Sequence, residues 1–91
     1  MPRELIIVTI PAYNEEKTLP VVLSEIRKVM DLNNYNYKIL VVNDGSRDKT
    51  VEVAERNGAM VFSHSRNMGL AEAFKTEMKK CLELNADIII H

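Results

Sequence analysis

Four short apolar runs recur along the chain and are separated by stretches with helical periodicity. The strong runs cover residues 5–10, 39–42 and 88–90, and a weaker run covers residues 59–62. Their apolar positions are nearly continuous rather than alternating, and they are rich in β-branched residues. Such runs are typical of strands that helices cover on both faces. The pattern therefore predicts four strands of a parallel sheet.

The first intervening segment places apolar residues at three- and four-residue steps, the spacing of an amphipathic helix, and the second has only a thin apolar face at Val51, Val53 and Ala54. The first helix is expected to start near Thr18, with Asn14 as its cap, and to end at residues 33–34. The second is expected to start at Asp48, a favourable N-cap residue, and to end before Gly58.

A third helix is predicted over about residues 70–84. Strands and helices then alternate as β-α-β-α-β-α-β, which implies right-handed crossovers and a Rossmann-like parallel α/β sheet. Glu77 falls on the apolar side of this helix, where an unpaired carboxylate is costly to bury. The stripe expected to face the sheet is Leu70, Ala73, Phe74, Met78, Cys81 and Leu82.

The chain ends at His91, directly after the last apolar run. A complete domain rarely ends where the next loop begins, so we expect residues 1–91 to be the N-terminal part of a larger domain. Residues 88–90 would then form an exposed sheet edge, a template for pairing with another chain. We therefore expect self-association through this strand.

Composition narrows the class of protein. The 91 residues are 46% apolar and 27% charged, close to the average of a single globular domain. The net charge of −1 argues against a nucleic-acid partner. The lone Cys81 excludes an internal disulfide and a cysteine-cluster zinc site. No apolar run exceeds four residues and no secretory signal is present, so we expect a cytoplasmic protein. Attachment of the full-length protein to the cytoplasmic face of a membrane is left open.

The familiar phosphate-binding loops are missing from the sequence. Only three glycines are present, Gly45, Gly58 and Gly69, too far apart for a G-x-G-x-x-G or Walker A loop. A nicotinamide dehydrogenase and a P-loop phosphotransferase are therefore disfavoured.

Open parallel sheets bind ligands outside the carboxyl ends of their strands. The candidate segments are thus residues 11–16, 43–48 and 63–69.

Each candidate segment carries side chains suited to a nucleotide, and each also has a purely structural interpretation. Tyr13 offers a ring for base stacking and Glu15 a carboxylate for base or ribose, or the two belong to a capped helix with a packed tyrosine. Asp44 is either a turn residue or an acceptor for ribose hydroxyls or a ring N–H. Arg66 is either a phosphate ligand before a helix N-terminus or a solvated arginine. His64 has no Cys or His near it in sequence and is not expected to bind a metal.

Taken together, these segments resemble the signatures of family 2 glycosyltransferases. Ile-Pro-Ala-Tyr-Asn-Glu-Glu at 10–16 is similar to the opening signature, and Val-Val-Asn-Asp-Gly-Ser-Arg-Asp-Lys-Thr at 41–50 is similar to the second. Arg-Asn-Met-Gly-Leu-Ala at 66–71 is similar to the third. The pattern most resembles the branch of dolichyl- and undecaprenyl-phosphate sugar synthases. Asn43, Lys49 and Glu77 depart from it, standing where Asp, Gly and a small residue are common.

The resemblance implies a GT-A fold, of which residues 1–91 would form the nucleotide-sugar-binding half. It implies inverting transfer of a sugar from a UDP- or GDP-type donor to an acceptor such as a polyprenyl phosphate. Pro11, Tyr13 and Glu15 would line the base and ribose pocket. Val42 and Asp44 would complete that pocket, and Arg66 would be a diphosphate-binding or a positioning residue.

The resemblance also implies a divalent cation, Mg or Mn, in the full-length enzyme. The family's Asp-x-Asp metal motif would begin just after Ile90, so its ligands are expected outside this chain. We therefore assign no catalytic and no metal-binding residue here, and we expect the 91 residues alone to catalyse nothing. The alternative is a non-catalytic nucleotide-binding module.

Overall fold

The computed structural model describes residues 3–91 and has the predicted alternation of strands and helices. All strand pairs are parallel, and the strand order is β3-β2-β1-β4. The strands are β1 (Ile6–Ala12), β2 (Tyr37–Asn43), β3 (Met60–Ser63) and β4 (Ile88–Ile90), and the helices are α1 (Leu19–Leu32), α2 (Thr50–Arg56) and α3 (Leu70–Glu83).

Helices cover both faces of the sheet, which explains the nearly continuous apolar runs. Successive residues of a strand point to opposite faces. In β2, Val41 packs in a cluster with residues of α1 and α2, whereas Leu40 and Val42 pack in a second cluster with Ala73 and Cys81 of α3. The strand prediction is confirmed, and Cys81 is a buried core residue as expected.

The predicted start of α1 near Thr18 is confirmed, whereas its cap and the start of α2 differ from the prediction. Asn14 adopts a positive φ of 51° and does not cap α1, which has no side-chain cap at its first turn. Helix α2 begins at Thr50 rather than Asp48, although the Asp48 carboxylate accepts the backbone N–H of Thr50 at 2.9 Å. The same carboxylate accepts the N–H of Glu16 at 3.2 Å. The Asp48 carboxylate thus links the loop after β1 to the start of α2.

The predicted stripe of α3 is partly wrong. Leu70 and Leu82 are 77% and 73% exposed, and Phe74 is also exposed. The residues buried against the sheet are Ala73, Glu77 and Cys81, spaced four residues apart. The large apolar side chains lie at the flanks of the buried face, because a small residue and a carboxylate occupy its centre. Within residues 3–91 no helix is long and apolar enough to cross a membrane.

Candidate functional site

The loops after β1 and β2 are held together at the carboxyl edge of the sheet. The N–H of Asn14 donates to Ser46 Oγ at 2.9 Å, and Asn14 Oδ1 accepts the N–H of Arg47 at 2.8 Å. The N–H of Glu15 donates to Thr50 Oγ1 at 2.9 Å. These bonds use the positive φ of Asn14, which turns its backbone and side chain toward the second loop. The first two signature segments are therefore joined to each other by hydrogen bonds.

The loops after β2 and β3 meet at Gly45. Its φ of +74° is a conformation that side chains with a Cβ rarely adopt. A Cβ there would overlap the backbone of Arg66 and Asn67. Glycine is therefore required at this position for the second and third loops to touch.

Asp44 is the centre of the hydrogen-bond network beneath these loops. It is 5% exposed, although it follows directly after β2. Its Oδ1 accepts the N–H of Met68 at 2.8 Å and lies 2.8 Å from His64 Nδ1, and its Oδ2 accepts the N–H of Gly69 at 2.9 Å. The second ring nitrogen of His64 lies 2.7 Å from Thr76 Oγ1 in α3.

Two opposing effects set the pKa of Asp44. Burial acts to raise it, since an ionised carboxylate loses hydration. The hydrogen bonds from His64, Met68 and Gly69 favour the ionised form and together hold the pKa below its ordinary value. Asp44 is therefore a carboxylate that accepts hydrogen bonds and donates none.

Above Asp44 lies an open cavity of about 290 Å³. Tyr13 forms one side with a ring that is 43% exposed, and the positive charges of Arg47 and Arg66 flank the opening. An aromatic face and two guanidinium groups suit a ligand with a flat ring and an anionic group. The other residues lining the cavity are Asn43, Gly45, Ser46, His64, Ser65 and Asn67.

The structure brings some of the predicted site residues together and separates others. Tyr13 and Arg66 line the same cavity, and Asp44 lies beneath it, bonded to the lining residue His64. Val42 is fully buried in the core, so its side chain does not reach the cavity.

The other two predicted residues lie away from the cavity wall. Pro11 pairs with Val42 in the sheet, one residue before the strand ends. The carboxylate of Glu15 accepts the hydroxyl of Thr18 at 2.6 Å and borders a separate cavity of about 170 Å³.

Sequence reasoning missed His64 and Asn43 as parts of the site. Asn43 is 4% exposed, donates to Ser63 Oγ at 3.1 Å and accepts the N–H of Ser46 at 3.0 Å. The register of β2 and β3 explains why these two residues are close: Asn43 pairs with Ser63, and His64 is the next residue along the chain. The residues after two paired parallel strands must lie side by side.

The described residues do not fit a divalent cation. Within residues 3–91 there is no group of three or more His, Cys, Asp or Glu side chains placed to hold a metal ion. The carboxylate of Asp44 is already used by three donors. No chemical step is therefore assigned to a metal held by this part of the chain.

Comparison with known proteins identifies the family. The sequence model of Glycosyl transferase family 2 matches residues 7–84. The chain belongs to glycosyltransferase family 2. The resemblance carried by the three signature segments is thereby confirmed.

Among curated relatives, an uncharacterised protein of Methanocaldococcus jannaschii is 40% identical over 89 residues, covering 97% of this chain and 34% of the relative. The UDP-N-acetylglucosamine–dolichyl-phosphate N-acetylglucosaminyltransferase of Methanococcus voltae is 33% identical over 108 residues, covering 99% of this chain and 41% of the relative. The chain therefore spans well under two thirds of the length of these two relatives.

A solved structure of glucosyl-3-phosphoglycerate synthase from Mycobacterium tuberculosis matches with a TM-score of 0.66 and 30% identity, over 79% of this chain and 28% of that one. The same enzyme in complex with Mn²⁺, UDP-glucose and phosphoglyceric acid matches with a TM-score of 0.61 and 31% identity, over 79% of this chain and 27% of that one. The α/β fold of the GT-A glycosyltransferases, expected from the signature segments, is confirmed.

Proposed function

We propose that residues 1–91 form the donor-binding part of a glycosyltransferase that takes a sugar, with inversion, from a nucleoside-diphosphate sugar. The observation that carries this proposal is the cavity at the carboxyl edge of the sheet, lined by Tyr13, Arg47 and Arg66 in a family 2 member. The Mycobacterium tuberculosis neighbour was crystallised with UDP-glucose, which favours a UDP-type donor.

In this proposal three side chains at or beneath the cavity have roles that their chemistry allows. The ring of Tyr13 stacks on the base, since aromatic rings stack on any base with little sequence preference. Arg66, on the opposite loop, attracts the diphosphate. Asp44 retains roughly one of its four acceptor positions, because three donors already occupy the others. That position accepts a ring N–H or a ribose hydroxyl.

A polyprenyl phosphate is the proposed class of acceptor for the whole protein. The support is the dolichyl-phosphate transferase of Methanococcus voltae, which matches over nearly the full length of this chain. A divalent cation would act at residues outside residues 3–91, as the neighbour crystallised with Mn²⁺ suggests. The 91 residues alone are therefore proposed to bind the donor without transferring its sugar.

Calorimetric titration of the chain with UDP, GDP and UDP-glucose, with and without Mn²⁺, tests the proposal. We expect binding of at least one nucleotide, and weaker binding in the variants Tyr13→Ala and Arg66→Ala. Loss of a stacking ring lowers affinity by about fivefold or more. Both side chains are exposed, so these changes leave the core intact.

Arg56→Ala is the matched control. Arg56 is exposed in the last turn of α2, four residues before β3 begins, and so lies at the opposite edge of the sheet. Its removal deletes the same charge as Arg66→Ala without touching the cavity. Absence of nucleotide binding by the unaltered chain, or equal losses in Arg56→Ala and Arg66→Ala, would contradict the proposed site. Release of UDP from UDP-glucose in the presence of a polyprenyl phosphate would contradict the proposed inactivity.

A further inference from the structure

The imidazole of His64 joins the end of β2 to α3 through both of its nitrogens. Nδ1 lies 2.8 Å from Asp44 Oδ1, and Nε2 lies 2.7 Å from Thr76 Oγ1. Only 8% of the His64 side chain is exposed, and the Asp44 side chain is buried to the same degree. A buried side chain with both polar atoms bonded has one orientation, so His64 is fixed in place.

The partners of His64 also fix where its proton lies. Asp44 is an ionised carboxylate and can only accept, so Nδ1 carries the hydrogen and donates it. In the neutral ring, Nε2 then accepts the hydroxyl hydrogen of Thr76. A protonated ring would keep both contacts, because the same hydroxyl can accept instead. The bridge therefore holds in either state of His64.

The loop after β3 is tied to Asp44 at both of its ends. The His64 side chain binds this carboxylate at the start of the loop, and the N–H groups of Met68 and Gly69 bind it at the end. The residues in between, 65–67, line the cavity. The Asp44 carboxylate thus holds both ends of this loop, and Arg66 lies between them at the opening of the cavity.

We propose that His64 is a positioning residue for nucleotide binding, acting by fixing Asp44 and the loop of residues 64–69. This inference rests on the proposed function of the cavity. It assigns to His64 the orientation of the remaining acceptor position on Asp44 and the placement of Arg66. Without the His64 bond, the loop keeps only its two backbone ties to Asp44.

Three substitutions separate the two contacts of the ring. The amide nitrogen of Asn can take the place of Nδ1, whereas that of Gln reaches the place of Nε2. His64→Asn therefore keeps a donor to Asp44, His64→Gln keeps only the contact with Thr76, and His64→Ala removes both. A merely space-filling role would make Asn and Gln equivalent or favour the larger Gln.

The readouts are hydrogen exchange of the Met68 and Gly69 amides and titration with UDP. We expect exchange to be about tenfold faster in His64→Ala and His64→Gln and near the unaltered value in His64→Asn, because the first two remove the donor that holds the Asp44 carboxylate to which both amides bond. UDP affinity is expected to fall in His64→Ala and His64→Gln and to stay near the unaltered value in His64→Asn. The ¹⁵N shifts of the His64 ring are expected to show a protonated Nδ1.

Several outcomes would overturn the inference. They are unchanged exchange in His64→Ala, equal behaviour of His64→Asn and His64→Gln, and UDP affinity that ignores the order of exchange rates. If His64→Ala does not fold, the comparison of Asn with Gln decides alone. If the unaltered chain binds no nucleotide, the proposed function of the cavity fails and this inference fails with it. Exchange rates that follow the expected order would in that case show only a role of His64 in loop structure.

Discussion

At the scale of single residues, the carboxylate of Asp44 is a buried acceptor at the end of β2, and its role toward ribose or a ring N–H stays a proposal. It accepts the backbone N–H groups of Met68 and Gly69 in the loop after β3, and it lies at the strand end beneath the cavity. Its place at the carboxyl end of β2 could be predicted from the apolar run before it. Its partners could not, because His64, Met68 and Gly69 lie 20 to 25 residues further along the chain.

Substitution Asp44→Asn tests how much this carboxylate stabilises the fold. The amide keeps the shape but turns one acceptor into a donor that faces other donors. We expect the free energy of unfolding at neutral pH to fall by about 2 kcal/mol, the range for hydrogen bonds to a charged group. Urea unfolding measures this change, and Glu25→Gln, at an exposed position in the middle of α1, is a control for loss of charge alone. Equal stability of Asp44→Asn and the unaltered chain would contradict the assigned network.

The lowered pKa of Asp44 also gives the stability a defined dependence on pH. The pKa is lower in the folded chain than the value of about 3.9 expected when unfolded. The stabilisation is therefore fully present above about pH 4 and is lost as the pH falls through the folded-state pKa. We expect the difference in unfolding free energy between the unaltered chain and Asp44→Asn to shrink over that acidic range. A constant difference from pH 7 down to pH 3 would show that this carboxylate is not the titrating group.

At the scale of elements, alternation and order were predictable, and the inward face of α3 was not. Continuous apolar runs indicate buried parallel strands whatever their neighbours, so the four strands followed from local pattern. The face of α3 depends on which side chains fit against the sheet. Ala73 allows a close approach there, and Glu77 finds a partner in His91 at 3.0 Å. Neither fact is visible in helical periodicity.

Glu77 is the residue of α3 that lowers the stability of the fold. It is fully buried, and its Oε2 is the one buried side-chain oxygen or nitrogen without a hydrogen-bond partner in the part of the chain that the structure describes. The pKa of the neighbouring Cys81 thiol is raised, first by burial and second by the charge of Glu77. A carboxylate with one unsatisfied oxygen destabilises a core even when its other oxygen is bonded.

We expect Glu77→Met to raise the free energy of unfolding by about 1 kcal/mol or more, because Met fills a similar volume without a polar atom. His91→Ala is expected to destabilise the unaltered chain by about 1–3 kcal/mol, since it leaves the carboxylate without its partner. In the Glu77→Met background, the same His91→Ala change should cost much less. A double-mutant cycle by urea unfolding measures the difference. Additive effects would mean that the two side chains do not interact.

Contact between the second and third loops depends on Gly45. Gly45→Ala introduces backbone strain of about 1–3 kcal/mol and an overlap with the Arg66 backbone that costs about as much again. Gly58→Ala is the matched control, since its φ of +81° is similar but its Cβ would meet only the flexible end of Arg27. Thermal or urea unfolding should therefore show a larger loss for Gly45→Ala. Equal losses of stability in the two variants would indicate that backbone strain alone causes them.

At the scale of the whole molecule, the sheet keeps two free edges within the described residues. β3 and β4 each pair with one neighbour. The edge at β4 is the more apolar of the two, with Ile88 and Ile90 41% and 44% exposed. Beside it, under α1, an apolar cavity of about 320 Å³ includes Val29 and Ile90 in its lining. An apolar edge strand with unpaired backbone groups is a template for pairing with another chain.

We therefore expect the 91-residue chain to associate with a second copy through β4. Light scattering over a range of concentrations should show a molar mass that rises toward that of a dimer. Ile90→Lys should return the chain to a monomer, because a charge on the edge blocks close pairing of strands. Phe62→Lys places the same charge on the opposite edge strand, where Phe62 is 37% exposed, and should leave the association unchanged. A monodisperse monomer at high concentration would refute pairing through β4, and loss of association in Phe62→Lys alone would move the interface to β3.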